Sequence, residues 1–236
     1  LAVLGSLIAL ASWRMLPETL EPVARQPFNA GHLLAGYRTL GLSPQFLLLC
    51  LASGIPFNGM FLYVLSAPEF LGTHLHLAPT EFFWFFVCTI SGIMGGAYLS
   101  GRLAGRIQPR HQIRIGFAIM LSVALLNVAM NLLWPAQLPW ALLPIAVFAF
   151  GWSLMVPVVT LLVLELHPAR RGMASSLQAA IGSAANGLVA GVIAPLVMHS
   201  TVWLALGSLG LMLVGLVAWV VLIRRWPQTG QPFVEG

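Results

Sequence analysis

Apolar residues run in long blocks along this chain, and polar residues gather in the gaps. Blocks fall at about 46–67, 82–104, 113–134, 138–164, 173–198 and 202–223. A helix needs roughly 20 apolar residues to cross a bilayer core, so each block predicts one spanning helix. A seventh block, 1–13, is too short. At ~1.5 Å per residue it reaches about two-thirds of a ~30 Å core. The chain opens on Leu1, with no basic segment or cleavage site of the signal-peptide kind. The first block therefore reads as the tail of a helix cut in two, and the sequence is expected to be a fragment.

Composition agrees with the pattern. Hydrophobic residues make up 59% and charged residues 7%, with a mean hydropathy of +0.92. Soluble domains carry about 25% charged residues. Every basic residue is an arginine, at 14, 25, 38, 102, 106, 110, 114, 170, 171, 224 and 225. If six helices cross alternately, all of these fall on one side. The other side has the 68–81, 135–137 and 199–201 connections, whose only charges are Glu69 and Glu81. Short arginine-rich connections stay cytoplasmic, which orients the chain with its C-terminus in the cytoplasm. A nucleic-acid patch is excluded as a reading, because the arginines alternate with spans and no soluble domain presents them.

The punctuation fits this map. Ser43-Pro44 offers an N-cap followed by Pro at the first helical position, and Thr80 offers another cap. Pro135 and Pro139 bracket a tight outer turn, while Trp134, Trp140, Trp203 and Trp226 sit near expected interfaces. The polar stretch 17–43 reads as a linker, within which "AGHLLAGYRTLG" predicts a short interfacial helix. The resulting division is a truncated helix end at 1–13, a cytoplasmic linker at 14–45, a six-helix bundle at 46–223 and a tail at 224–236. Cys50 and Cys88 lie inside spans and read as small buried hydrophobes.

Function classes narrow quickly. An intramembrane serine protease needs a nucleophile and a His base at membrane depth. Ser153 lies in a span, but His32, His74, His76, His111, His167 and His199 all map to connections or helix ends. No His, Cys and acid converge as metal ligands, and nothing calls for a cofactor. Small residues recur every fourth position at Gly92, Gly96, Ser100 and Ala104, and again at Ser183, Gly187 and Gly191. Such stripes let helix backbones approach closely. Pro56, Pro144 and Pro157 lie within spans, where each removes a backbone hydrogen bond.

These features meet in a family resemblance. "LPETL" (16–20), "FLYVLSAPEFL" (61–71), "GRLAGRIQPR" (101–110) and "HPARRGMASSLQ" (167–178) together make the chain resemble the C-terminal half of a major facilitator superfamily transporter. Within that superfamily it looks closest to the drug:proton antiporters of the bicyclomycin-resistance (Bcr/CflA) type. The resemblance implies an all-α integral membrane fold: a six-helix C-terminal bundle plus the end of a preceding helix. It also implies a missing N-terminal six-helix half, a drug-like substrate, protons as the driving partner, and the bacterial inner membrane.

The 101–110 stretch is similar to the superfamily's loop motif, G-x-L-A-D-R-x-G-R-R/K, which pins neighbouring helices on the cytoplasmic side. Gly101, Leu103, Ala104, Arg106 and Arg110 match it, whereas Gly105 stands in place of the acid, and Gln108 and Pro109 replace a Gly and a basic residue. Arg106 is expected either to lie against a helix C-terminus or to pair with Glu165; a topology signal alone is the plainer alternative. Substrate contact is expected from polar and aromatic side chains at mid-depth, where burial in lipid is costly. Phe57, Asn58, Phe61, Tyr63, Asn127, Phe148, Trp152 and Gln178 qualify, each with interhelical packing as the alternative. No Asp exists in the chain, and only Glu165 approaches a span. Proton coupling is therefore expected in the other half. A metabolite exporter and a non-transporting assembly module are the competing readings.

Overall fold

The computed structural model describes residues 2–15 and 29–230, and every apolar block in it is helical. The chain divides into two units, Leu1–Gly36 and Tyr37–Gly236. The first holds α1 (Ala2–Met15) and the start of α2 (Ala30–Gly41), which is the helix expected from "AGHLLAGYRTLG". "LPETL" lies outside the described residues.

The second unit carries α3 (Pro44–Leu65), α4 (Phe83–Leu103), α5 (Pro109–Leu133), α6 (Leu143–Leu166), α7 (Arg171–Leu188), α8 (Ala194–Val197) and α9 (Thr201–Arg225). Six stretches are long and apolar enough to cross a membrane: Pro44–Leu65, Pro79–Leu103, Pro109–Leu133, Leu143–Leu166, Pro168–Val197 and Thr201–Arg225. The architecture is an all-α membrane bundle, with no strand among the described residues.

Helix ends follow local chemistry. Ser43 caps α3, its Oγ accepting from the Phe46 N–H at 3.4 Å, with Pro44 in the first turn. Ser200 caps α9 in the same way. Thr80 does not cap α4. Instead the Glu81 carboxylate accepts the Ala78 N–H at 2.9 Å over a single 3-10 turn, Pro79–Glu81. Pro109 starts α5 before the expected 113, so Arg110 joins Arg114 on the helix and the connection shrinks to 104–108. Gly105 turns the chain there at φ +73°, a left-handed conformation that suits glycine. The outer turn near Pro135 is longer than expected, since α6 begins at Leu143 and Pro144 falls in its first turn. Pro195 cannot give an N–H to the Gly191 carbonyl, and the chain widens into a π-helical stretch, Val189–Ile193, between α7 and α8. A second π-helical stretch, Pro68–His74, follows α3.

Glycines set the seams between helices. A side chain added at Gly92 or Gly96 of α4 would strike the Ala146 or Phe150 carbonyl of α6. Gly116 of α5 and Gly151 of α6 face each other, so a Cβ on Gly116 would stand 2.8 Å from the Gly151 oxygen. Gly215 of α9 receives the ring of Pro56 from α3. The α4 stripe is therefore a packing face. Gly182 and Gly187 of α7 and Gly191 of the π-helical stretch differ, having no atom within 4 Å of an added Cβ among the described residues. Gln112 joins three helices, its Nε2 donating to Ser100 Oγ of α4 at 2.7 Å and to the Leu154 carbonyl of α6 at 2.9 Å. Buried amides of this kind are satisfied or costly.

The two helix ends of this unit differ in charge. Hydrogen bonds place the starts of α3 and α5 beside the turn after α9. That end carries Arg110, Arg114, Arg224 and Arg225. At the opposite end His74 Nε2 lies 3.1 Å from the Met198 carbonyl and His199 Nδ1 lies 4.0 Å from Glu69 Oε1.

The seams predict a sharp contrast in tolerance. Gly116→Leu should destabilise the bundle by about 1–3 kcal/mol or more through overpacking. Gly187→Leu should stay within about 0.5 kcal/mol, as for a surface change. Thermal unfolding of each variant in lipid nanodiscs distinguishes the two; equal losses would contradict the seam assignment.

Candidate functional site

Three helices bring aromatic and amide side chains to one cavity of about 280 Å³. On α3, Cys50, Ser53, Gly54 and Phe57 stand at positions i, i+3, i+4 and i+7, hence on one face. Trp152 and Val156 stand one turn apart on α6, and Gln178, Gly182 and Asn186 one turn apart in succession on α7. Among the described residues, no charged side chain lines the cavity.

Hydrogen bonds hold this wall in place. Trp152 Nε1–H donates to the Ser53 carbonyl at 2.9 Å, fixing the indole against α3. Its ring lies 4.9 Å from the Phe57 ring, and Phe57 stacks on Phe61 at 5.4 Å. Gln178 Nε2 donates to Ser53 Oγ and to Thr160 Oγ1, each at 3.3 Å, while Ser53 Oγ donates to the Cys50 carbonyl. The result is a surface of ring faces edged by neutral hydrogen-bonding groups. Such a surface takes flat, amphipathic molecules, with aromatic contacts worth ~0.5–1.5 kcal/mol each beyond area burial.

Three of the expected contact residues line this cavity, Phe57, Trp152 and Gln178, and Phe61 supports it by stacking on Phe57. The other four go elsewhere. Asn58 is fully buried; its Nδ2 donates to the Gly54 carbonyl at 3.1 Å and its Oδ1 has no partner. Phe148 is buried against Gly59. Tyr63 and Asn127 bond each other, Asn127 Nδ2 donating to the Tyr63 hydroxyl at 2.7 Å, with Tyr63 edge-on to Phe70. Asn127 and Asn131 also line a separate cavity of about 360 Å³, beside Trp134, Gln137 and Trp140. Ser53, Thr160 and Asn186 also belong to this wall, beyond the residues expected from sequence. Gln178, Gly182 and Asn186 at four-residue spacing carried a readable signal for the α7 face.

The loop-motif residues form no ion-pair network. Arg106 and Glu165 are both exposed. The one ion-pair contact among the described residues is His199–Glu69, so the Arg106–Glu165 pair is absent. Arg102 lies over the Tyr98 ring at 5.1 Å. Arg110 instead reaches the chain beyond α9, its Nη1–H donating to the Pro227 carbonyl at 3.3 Å.

The Tyr63–Asn127 bond gives a direct test. Asn127→Leu strands a buried phenol and should cost about 1 kcal/mol. A double-mutant cycle with Tyr63→Phe should return a coupling of roughly 0.6–1.7 kcal/mol, the range for hydrogen bonds between membrane helices. Zero coupling in chemical unfolding would mean that the two groups do not interact.

Comparison with known proteins places this geometry in context. The sequence profile of the Major Facilitator Superfamily matches residues 1–190. The chain is 28% identical over 247 residues to the enterobactin exporter EntS of Escherichia coli O1:K1 / APEC, a match covering 97% of the chain and 55% of that protein. The EntS protein of Escherichia coli O45:K1 (strain S88 / ExPEC) matches to the same extent. The chain therefore spans about half the length of the curated relatives it matches. With a profile match over most of its residues and an all-α bundle of six potential spans, the chain belongs to the Major Facilitator Superfamily, whose members are multi-pass membrane transporters rather than enzymes.

Proposed function

We propose that this chain forms one half of an alternating-access exporter of small lipophilic compounds, driven by proton antiport. The observation that carries the reading is the uncharged wall of Phe57, Trp152 and Gln178 on α3, α6 and α7. A second six-helix half supplies the facing wall, since cavities of this fold form between pseudo-symmetric halves. The bundle sits in a bacterial inner membrane with its arginine-bearing end and C-terminus in the cytoplasm. The drug:proton antiporters of the bicyclomycin-resistance type remain the branch whose motifs the chain resembles. A metabolite exporter is the second reading, favoured by the relatives named as enterobactin exporters.

Proton coupling belongs to the other half in this proposal. Coupling requires a group that titrates while its access alternates, usually an intramembrane carboxylate or His. Glu165 is exposed at the last turn of α6, outside such an environment. Gly101, Leu103, Ala104, Arg106 and Arg110 shape the cytoplasmic turn, and Glu165 contributes to the balance of states there.

The expected outcomes are concrete. In the complete transporter, Trp152→Ala should lower efflux of a flat lipophilic dye at least about tenfold, a loss near 1.4 kcal/mol. Trp203→Ala, at an exposed position on α9, should leave efflux unchanged. Equal effects would sink the cavity assignment, and dye-independent export of enterobactin would favour the second reading. Glu165→Gln should slow transport yet leave substrate-induced proton movement intact. For orientation, single cysteines at Gln108 and Thr73 in a cysteine-free background separate the two sides. An impermeant thiol reagent should label only position 73 in intact cells.

A further inference from the structure

Helix α5 begins without a cap of its own. The first four N–H groups of a helix have no partner inside it, and a Ser, Thr, Asp or Asn side chain usually accepts one of them. Gln108 occupies the cap position and makes no such bond. Pro109 has no N–H to satisfy, which leaves Arg110 as the first donor in need of an acceptor. That acceptor comes from far along the chain: the Arg110 N–H donates to the Gly230 carbonyl at 3.3 Å.

The same segment makes three more contacts. Arg110 Nη1–H donates to the Pro227 carbonyl at 3.3 Å. Gln45 Nε2, in the first turn of α3, donates to Thr229 Oγ1 at 3.1 Å. The Thr229 N–H closes a turn on the Trp226 carbonyl at 3.1 Å, and Trp226 packs against the core. Gly230 is buried at φ +74°, and a Cβ there would lie 3.5 Å from the Arg110 backbone. The turn is thus shaped to sit on α5, and only glycine takes its last position without strain.

We propose that residues 226–230 are a strap that caps α5 from outside and binds the arginine-bearing ends of α3, α5 and α9 into one block. The bonds join three helices at an end where no loop connects them directly, and add to the apolar packing of α3 on α9 there. The strap also decides what moves. Helix α7 meets the α3 backbone at one point, where a Cβ on Gly54 would lie 3.7 Å from the Gly182 Cα, and is otherwise held through side-chain bonds, Gln178 to Thr160 and Ser53, and Tyr37 to Ser176. Motion at this end therefore belongs to α7 against a strapped α3–α5–α9 block. This holds whatever compound the chain handles.

The test is hydrogen exchange of the chain in lipid nanodiscs, with and without the strap. Ending the chain after Trp226 should speed exchange of the 108–113 amides roughly five- to tenfold, the scale of a lost helix cap. Exchange along the α4–α6 seam should not change. Spin labels at exposed Arg114 and Arg225, with Cys50 and Cys88 replaced by Ala, should give a narrow distance distribution in the intact chain and a broad one in the shortened chain. A pair at Arg114 and Ser175 should be broad in both. If the shortened chain does not insert, Arg110→Leu with Gly230→Val loosens the strap's hold on α5 at full chain length and should still broaden the 114–225 distance. Unchanged exchange at 108–113 on shortening, or an unchanged 114–225 width in the double variant, overturns the proposal.

Discussion

Backbone-to-backbone contact is the constraint on which this bundle rests. Lipid tails are as apolar as leucine, so the helices gain nothing by hiding from lipid, and close van der Waals contact must hold them. Helix α6 concentrates that contact. It meets α4 at Gly92 and Gly96 and meets α5 where Gly116 opposes Gly151. Where α3 meets α9, Gly215 takes in the Pro56 ring, so the residue that interrupts α3 is also the one that docks it. Buried polar groups then set the register. Gln112 reads α4 and α6 together, and Ser153 of α6 donates to the Ile93 carbonyl of α4 at 2.7 Å.

Much of the fold was legible because hydrophobic block length depends only on bilayer thickness. The six blocks and the Ser43 cap follow from local chemistry and appear where that chemistry puts them. Helix ends were less legible where proline decides them. Pro109 extends α5 backward and Pro144 moves into a first turn, because proline is as welcome at a helix start as it is disruptive inside. The π-helical stretch at 189–193 was foreshadowed only by Pro195.

The site was half legible, for a geometric reason. Residue type identifies side chains that need company at mid-depth, but which face they occupy depends on neighbours distant in sequence. Trp152 and Phe148 are one turn apart on α6, yet one lines the cavity and the other is buried on Gly59. Asn58 follows Phe57 directly and points its amide to the helix's own Gly54 carbonyl. Arg110 was readable as basic, but nothing in the 101–110 stretch indicates a partner more than a hundred residues downstream.

The separation of seam from cavity wall has an evolutionary consequence. A seam made of glycine against carbonyl permits no drift, since almost any side chain at Gly96 or Gly116 collides with main chain that cannot yield. The wall residues lie on other faces of the same helices, and on α7 the neighbouring positions have open space around them. Lineages can therefore exchange what the cavity touches without disturbing the glycine seams, while a change at Gln178 also alters how α7 is held. Changes at the seam must come in compensating pairs. A bundle built this way keeps its architecture while its chemistry of recognition wanders.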